Sequence, residues 1–73
     1  MTASLVTGGS GYFGSLLVAA LVARGDRVRV LDLRDADDRP PQVELVLGDI
    51  RDRDTVATAV DGCDVVFHNV AQV

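Results

Sequence analysis

Three glycines at three-residue intervals, Gly8, Gly11 and Gly14, constrain the fold of this chain more than any other sequence feature. They follow the largely apolar run 3–7 and open a run over 15–24 whose apolar residues recur at helical spacing. A strand, a glycine turn and a helix in direct succession form an anion-binding site. The turn exposes backbone N–H groups, and the helix N-terminus adds partial positive charge. The sequence therefore predicts a phosphate-binding turn between the first strand and the first helix.

The first helix is predicted to pack on the sheet through one apolar stripe and to end near Gly25. The apolar residues at helical spacing in this run are Phe13, Leu16, Leu17, Ala20 and Leu21. Arg24 suits the negative end of the helix dipole, and Gly25 is placed to be the C-cap. Residues 28–31 form a second apolar strand that ends at Asp32, so this part of the chain predicts a βαβ unit.

The second half of the chain repeats the alternation of strand and helix. Residues 33–42 are mostly polar or charged and hold both prolines, so we expect a solvated loop without a helix of normal length. A third strand is predicted over 43–47 and a fourth over 64–70. A short helix between them is predicted to be capped by Asp52 or Asp54. Its apolar stripe and terminating glycine are Val56, Ala59, Val60 and Gly62.

Strands that alternate with helices predict a parallel α/β sheet. The predicted fold class is a Rossmann-type doubly wound parallel sheet with strand order 3-2-1-4, truncated after about four strands. Residues 1–73 are predicted to form the N-terminal part of one such domain, with no second domain in this chain. The fourth strand would lie at an edge of the sheet. Its apolar residues over 65–70 would then be exposed, which is an association hazard.

Asp32 provides an independent test of the phosphate-turn interpretation. It lies 18 residues after Gly14 and ends the second strand. Dinucleotide-binding folds place an acid at about this distance, where it accepts hydrogen bonds from the adenosine ribose. A carboxylate here repels a 2′-phosphate, so NAD is predicted in preference to NADP. Arg34 could pair with such a phosphate, lie over the adenine or remain in the solvated loop, and the sequence leaves these alternatives open.

Backbone N–H groups at the start of the first helix are predicted to bind the pyrophosphate. We expect the donors to be Tyr12 and Phe13, because both follow the turn directly. The hydroxyls of Thr7 and Ser10 are expected to tie the turn together or to contact the ligand.

The third and fourth strand ends are predicted to line the same crevice. Asp49 is placed to accept a hydrogen bond from the adenine amino group, with the Ile50 N–H beside it; the alternative is a helix-entry aspartate. Val70 and Ala71 follow the fourth strand, where small residues let the backbone approach the cofactor. The predicted cofactor-binding residues are Gly8, Gly11, Tyr12, Phe13, Gly14, Asp32, Leu33, Arg34, Asp49, Ile50, Val70 and Ala71.

Composition excludes several other classes of function. The formal net charge is -4 without any lysine, so neither nucleic acid nor an anionic membrane surface is an expected partner. Cys63 is the single cysteine, so no internal disulfide is expected, and with His68 alone it cannot complete a structural zinc site. Cys63 is interpreted as a small apolar residue and His68 as a packed, hydrogen-bonded strand histidine. Without a basic leader or an apolar run of about 18 residues, we expect a cytoplasmic location.

Four sequence motifs of this chain coincide in order and spacing. They are Thr7-Gly8-x-x-Gly11-x-x-Gly14, Asp32, Gly48-Asp49-Ile50-Arg51-Asp52 and Val66-Phe67-His68-x-x-Ala71. Together they resemble the extended short-chain dehydrogenase/reductase superfamily, which includes NAD-dependent sugar epimerases and dehydratases and 3β-hydroxysteroid dehydrogenase-like enzymes. The resemblance covers essentially the whole chain. It implies pyrophosphate on the glycine turn, ribose on Asp32, adenine beside Asp49 and Ile50, and a further cofactor contact over 68–71, with Val70 where alanine is common.

The catalytic motif of that superfamily has no counterpart in these residues. Enzymes of this type use a Tyr-x-x-x-Lys pair with an upstream Ser or Thr, whereas this chain has no lysine and its single tyrosine is Tyr12 in the phosphate turn. No catalytic residue is therefore predicted here, and we expect no turnover by these residues alone. The resemblance implies an NAD-binding segment of an oxidoreductase or epimerase/dehydratase, with a small-molecule substrate bound only in a longer parent chain.

Two other interpretations share parts of this pattern. A non-catalytic NAD(P)-binding or redox-sensing module would keep the glycine turn and Asp32 without the catalytic pair. A self-associating fold fragment would use the edge of the fourth strand to form a homo-oligomer and bind no cofactor. A Tyr-x-x-x-Lys motif further along a longer chain would favour the enzyme interpretation over the sensing module. Measuring the oligomeric state with and without NAD would test the interpretation as a self-associating fragment.

Overall fold

A four-stranded parallel sheet with helices on both faces confirms the predicted fold class. The computed structural model describes residues 1–69, so Val70 and Ala71 lie outside the described residues. The strands are β1 (Ala3–Thr7), β2 (Arg27–Asp32), β3 (Glu44–Leu47) and β4 (Val65–His68), and the helices are α1 (Tyr12–Arg24) and α2 (Arg53–Val60). The strand order is β3-β2-β1-β4 and all three pairings are parallel, as predicted.

Neighbouring residues of β1 point into two separate apolar cores. Val6 packs in the first core with Val18 and Leu21 of α1. Leu5 packs in the second with Ala59 of α2. Because successive strand side chains point to opposite faces, the two helices cover opposite faces of the sheet. Each fully buried Val or Leu contributes on the order of 1.5–3 kcal/mol to folding, so both layers stabilise the sheet.

The buried face of α1 differs from the predicted stripe. Phe13 and Leu16 are 72% and 56% exposed, and Ala20 is also exposed. Leu21 is buried and Leu17 packs against the core, as predicted, but the rest of the buried face is formed by Gly14, Val18 and Val22. Almost every side chain of α1 is apolar, so its pattern cannot specify which face lies against the sheet. The close approach at Gly14 sets that rotation.

Gly14 lies directly against the glycine turn. An added Cβ at this position would be 2.7 Å from the Gly9 Cα and closer still to the Gly8 carbonyl oxygen. Both neighbours are backbone atoms and cannot rotate away as a side chain would. A glycine at position 14 therefore lets α1 begin immediately above the end of β1.

The far end of α1 is fixed by a buried carboxylate. Gly25 adopts a left-handed conformation with φ 94° and caps the helix through its N–H, as predicted. The side chain of Asp26, only 5% exposed, accepts hydrogen bonds from the Ser4 hydroxyl at 2.8 Å and from the Arg24 guanidinium at 2.6 Å. The hydrogen bond from Arg24 lowers the pKa of the Asp26 carboxyl below its usual value. This network joins the helix end to β1.

Helix α2 is capped at both ends by contacts from outside it. Asp52 is the N-cap, one of the two predicted candidates, and its side chain accepts from the Asp54 N–H. At the other end, Arg29 of β2 donates to the carbonyl oxygens of Ala59 and Asp61 at 2.8 and 2.7 Å. An arginine beside the last carbonyls satisfies acceptors that the helix itself leaves open.

Several strand boundaries differ from those predicted. β2 begins at Arg27, one residue early, and β3 begins at Glu44, not at Val43, although Val43 is buried in the first core. β4 spans Val65–His68, so it begins one residue later than predicted and ends before residue 69. Just before β4, Asp64 accepts from the Ala3 N–H and donates its own N–H to the Ala3 carbonyl. In the part of the chain that the structure describes, no helix combines the length and apolar character that crossing a membrane requires.

We predict that Gly14→Ala destabilises the fold by about 1–3 kcal/mol, the usual scale of an overpacked site. The added methyl group would collide with the backbone of Gly8 and Gly9. Gly11→Ala is the matched control, because its Cβ would meet nothing closer than 3.7 Å and its φ is −82°. The measurement is the free energy of unfolding in urea, and equal stability of the two variants would contradict the packing argument.

Candidate functional site

A cleft of about 470 Å³ opens at the carboxyl ends of the strands. Eight of the predicted cofactor-binding residues line it: Gly8, Gly11, Tyr12, Phe13, Asp32, Leu33, Asp49 and Ile50. Three further lining residues, Leu31, Gly48 and Asn69, were not in the predicted set. The structure thus brings residues from all four strand ends into one cavity.

Two predicted residues lie outside this cleft. Gly14 does not line it and instead supports the glycine turn from the helix side. Arg34 borders a second space of about 350 Å³ together with Ser10, Gly11 and Asp32. Gly11 and Asp32 border both spaces, so the space beside Arg34 adjoins the main cleft at the Asp32 carboxylate.

Two backbone hydrogen bonds and one left-handed glycine define the shape of the glycine turn. Gly8 has a φ of 71°, a conformation that side chains rarely adopt, and its N–H donates to the Leu31 carbonyl at 2.8 Å. The Gly11 N–H donates back to the Gly8 carbonyl at 3.3 Å. The N–H groups of Tyr12 and Phe13 have no acceptor within the described chain, and no side chain there caps α1. These two donors remain available at the positive end of the helix.

Gly11 meets no internal requirement for glycine. Its backbone is extended, with φ −82° and ψ 178°, and an added Cβ would find only the Gly8 carbonyl oxygen at 3.7 Å. Gly8 and Gly14, by contrast, are required by backbone conformation and packing. A glycine that the described protein does not need, at the wall of a cleft, leaves room for the backbone to contact a ligand.

The Asp32 carboxylate is oriented by backbone donors on both sides. One oxygen accepts from the Ser10 N–H at 3.0 Å and the other from the Leu33 N–H at 2.6 Å. The Arg34 N–H adds a longer contact of 3.4 Å to the second oxygen, Oδ1, so its two lone pairs are used. Oδ2 has one donor and can still accept from a ligand hydroxyl. The sequence analysis missed the bond to Ser10 because it joins residues 22 positions apart.

Asp49 is engaged by Arg51 through both carboxylate oxygens. The Arg51 side chain donates Nε to Oδ1 at 3.0 Å and Nη2 to Oδ2 at 2.7 Å, and the Arg51 N–H adds a third contact. These hydrogen bonds, chiefly those from the guanidinium, lower the pKa of Asp49 to about 2. The carboxylate is therefore ionised and fixed in direction at the wall of the cleft. The sequence analysis did not foresee this pair.

A polar bridge connects β4 to the glycine turn. The buried Thr7 hydroxyl is 2.9 Å from His68 Nδ1 and accepts from the Asn69 N–H at 3.1 Å. The Asn69 side chain also donates to the Gly8 carbonyl at 3.5 Å. His68 is hydrogen-bonded as expected but lies in an exposed position, so it is not packed in the core.

The strand order arranges these groups in a line along the sheet edge. Asp49, a hydrogen-bond acceptor, and the apolar Ile50 follow β3. The Asp32 carboxylate ends β2, the free N–H donors follow β1, and the amide of Asn69 follows β4. The cleft therefore offers, in sequence, a site for a flat polar ring, a hydroxyl acceptor, an anion cradle and a further polar contact.

Comparisons with known proteins agree with this fold and cleft. The family model of the NAD dependent epimerase/dehydratase family matches residues 4–73. A 3β-hydroxysteroid dehydrogenase/Δ5→4-isomerase of Mycobacterium tuberculosis is 49% identical over 69 residues, which are 92% of this chain and 18% of that protein. The chain thus spans under a fifth of the length of this relative. It belongs to the NAD-dependent epimerase/dehydratase family.

Two solved structures of similar fold are NAD complexes of longer proteins. A short-chain dehydrogenase/reductase superfamily protein of Agrobacterium tumefaciens with bound NAD superposes with a TM-score of 0.85 at 35% identity, covering 97% of this chain and 21% of that one. The NAD complex of Thermus thermophilus UDP-glucose 4-epimerase gives 0.84 at 38% identity, covering 99% and 25%.

The three unpredicted lining residues lie next to predicted ones in sequence. Leu31 precedes Asp32, Gly48 precedes Asp49, and Asn69 follows β4. Gly48 also has a packing role, because an added Cβ there would collide with the Thr55 side chain. Their position at strand ends was the signal available in the sequence.

We predict that Arg51→Ala raises the pKa of Asp49 from about 2 toward its ordinary value of 3.8. The folded-state pKa is depressed. The favourable contribution of the pair is therefore complete above pH 3.8 and is lost as the pH falls through about 2. Carboxyl-carbon NMR titration of Asp49 measures the change. Arg53→Ala is the matched control and should leave the Asp49 titration unaltered, whereas an unchanged pKa in Arg51→Ala would refute the assigned cause.

Proposed function

We propose that this chain is the NAD-binding segment of an NAD-dependent oxidoreductase or epimerase/dehydratase of the extended short-chain dehydrogenase/reductase type. The observation that carries the proposal is the linear order of groups along the sheet edge. Adenine, ribose, pyrophosphate and the second ribose follow one another in the same order in the dinucleotide. Both solved relatives described above are NAD complexes.

The glycine turn would hold the pyrophosphate. Tyr12 and Phe13 offer N–H groups without acceptors in the described chain, and the start of α1 adds partial positive charge. Gly11 supports this assignment. The fold would tolerate a side chain at this position, but that side chain would extend into the cleft. Gly8 and Gly14 contribute by shaping the turn.

The adenosine half would lie between β2 and β3. Asp32 Oδ2 keeps a lone pair for a ribose hydroxyl, and the charge of the carboxylate disfavours a 2′-phosphate, so NAD is preferred to NADP. The Asp49 carboxylate would accept from the adenine amino group at the wall of the cleft, sharing its oxygens with the exposed Arg51 side chain. Leu33 and Ile50 supply apolar surface to the ring, and Arg34 remains outside the main cleft. Val70 and Ala71 remain proposed contacts.

The longer protein would carry the reaction and the substrate site. When bound, NAD supplies hydride acceptance and return at its nicotinamide ring. The residues of this chain bind and orient the dinucleotide, and none of them is proposed to exchange a proton with substrate. The substrate is a small molecule with a carbinol or carbonyl group, and the cytoplasm remains the predicted location.

We predict that Asp32→Ala weakens NAD binding by about 1–3 kcal/mol, the scale of a lost charge-assisted hydrogen bond. NADP binding should weaken less or become tighter, because the repulsion of the 2′-phosphate is removed. Calorimetric titration of both dinucleotides against the wild type and the variant measures the two effects.

Asp37→Ala is the control for this titration. Asp37 is exposed and lies outside the cleft, so its removal changes the net charge by the same amount without touching the site. NAD affinity should remain that of the wild type. Unchanged NAD affinity in Asp32→Ala would remove Asp32 from the site and would undermine the assignment of the cleft.

We also propose that the free edge of β4 supports association between copies when nothing else covers it. Within the described residues β4 pairs only with β1, and Val65 and Val66 are 39% and 49% exposed. An apolar strand edge with unpaired backbone groups readily adds another strand.

Sedimentation velocity tests this edge. We expect concentration-dependent dimers of the chain, and a shift toward monomer in Val66→Lys, because a lysine on an edge strand opposes strand addition. Leu16→Lys is the control, since Leu16 is similarly exposed on α1 at a distance from the edge. A wild-type chain that is monomeric throughout, with or without NAD, would rule out the edge as an association surface.

A further inference from the structure

We propose that Asp32 has a second role, as the positioning residue that holds the glycine turn in its phosphate-binding conformation. This inference rests on the proposed function, since the turn is taken to be the pyrophosphate site. It assigns to Asp32 an effect on the phosphate half of the ligand that is separate from its contact with ribose.

The N–H groups of the glycine turn differ in what accepts from them. Three of them are used inside the protein: Gly8 donates to the Leu31 carbonyl, Gly11 to the Gly8 carbonyl, and Ser10 to Asp32 Oδ2. The first two acceptors are backbone atoms. Asp32 is therefore the one side chain of the described residues that accepts from an N–H of this turn.

The Asp32 residue is itself held in place by backbone hydrogen bonds at the end of β2. Its other oxygen accepts from the Leu33 N–H at 2.6 Å, and its backbone is paired with Leu47 of β3 and accepts from the Gly48 N–H. The carboxylate is therefore a rigid link between the end of β2 and the middle of the turn. Ser10 lies two residues before Tyr12, so fixing its N–H also fixes the peptide planes that lead into the first turn of α1.

Charge and hydrogen bonding act in opposite directions at this link. A carboxylate near the turn repels a bound phosphate, so removal of its charge alone would tighten phosphate binding. Removal of the acceptor for the Ser10 N–H makes the turn more mobile. Ligand binding must then order the turn, and the lost conformational entropy weakens the affinity. If Asp32 acted only through ribose, a ligand without ribose hydroxyls would bind Asp32→Ala as well as, or better than, the wild type.

The test uses 2′,3′-dideoxy-ADP, which carries adenine and the pyrophosphate but lacks both ribose hydroxyls. We expect Asp32→Ala to bind it at least about fivefold more weakly than the wild type, a part of the effect of one charge-assisted hydrogen bond. Asp37→Ala, the charge-matched control, should bind like the wild type or slightly tighter. Equal or tighter binding by Asp32→Ala would overturn the second role.

Amide hydrogen exchange without ligand gives an independent measurement. In the wild type, the Ser10 N–H should exchange at least about tenfold more slowly than in an unstructured peptide. In Asp32→Ala that protection should fall, while protection of the Gly8 N–H, held by the Leu31 carbonyl, should stay unchanged. An unprotected Ser10 amide in the wild type would overturn the proposal, even if the variant does not fold.

The two measurements separate this inference from the proposed function. A wild-type protein that binds neither NAD nor dideoxy-ADP would refute the cofactor site, and the exchange rates would then decide the Asp32–Ser10 link alone. A protein that binds NAD and loses affinity for it in Asp32→Ala, but keeps its affinity for dideoxy-ADP, would confirm the ribose contact and refute the link.

Discussion

The close approach of Gly14 to the backbone of Gly8 and Gly9 is the contact on which the rest of this structure depends. It allows α1 to start directly after the turn and sets which side of an almost wholly apolar helix faces the sheet. The same contact places the free N–H groups of Tyr12 and Phe13 at the end of β1. The absence of a side chain at Gly14 therefore serves both the packing of α1 and the placement of the proposed ligand-binding N–H groups.

The parallel order of the sheet turns this local contact into an extended site. All four strands end at one edge, so short segments that are distant in sequence contribute side by side to the cleft. Asp32, in the centre of the row, contacts the turn on one side and the start of the β2–β3 connection on the other. Binding of the two halves of a dinucleotide would consequently be coupled through a single carboxylate.

The fold could be predicted almost completely from the sequence, because the strands are short apolar runs and glycine, proline and aspartate mark their ends. Strand order and the cap at Asp52 followed from the same signals. The buried side of α1 could not be predicted, since its apolar residues surround the helix and packing at Gly14 decides the rotation. Within the site, strand-end positions predicted which residues meet. Their partners, such as Arg51 for Asp49, depend on rotamers that a spacing does not encode.

The hydrogen-bond network that joins the exposed Arg24 to the buried side chains of Asp26 and Ser4 lies away from the ligand site. It fastens α1 to β1 at the amino edge of the sheet, at the opposite end from the cleft. The amino edge thus carries a fastening that takes no part in the ligand site, whereas Gly14 serves packing and the site together at the carboxyl edge. Substitutions of residues around the cleft can therefore change ligand specificity, while the hydrogen bonds at the amino edge keep α1 attached to β1.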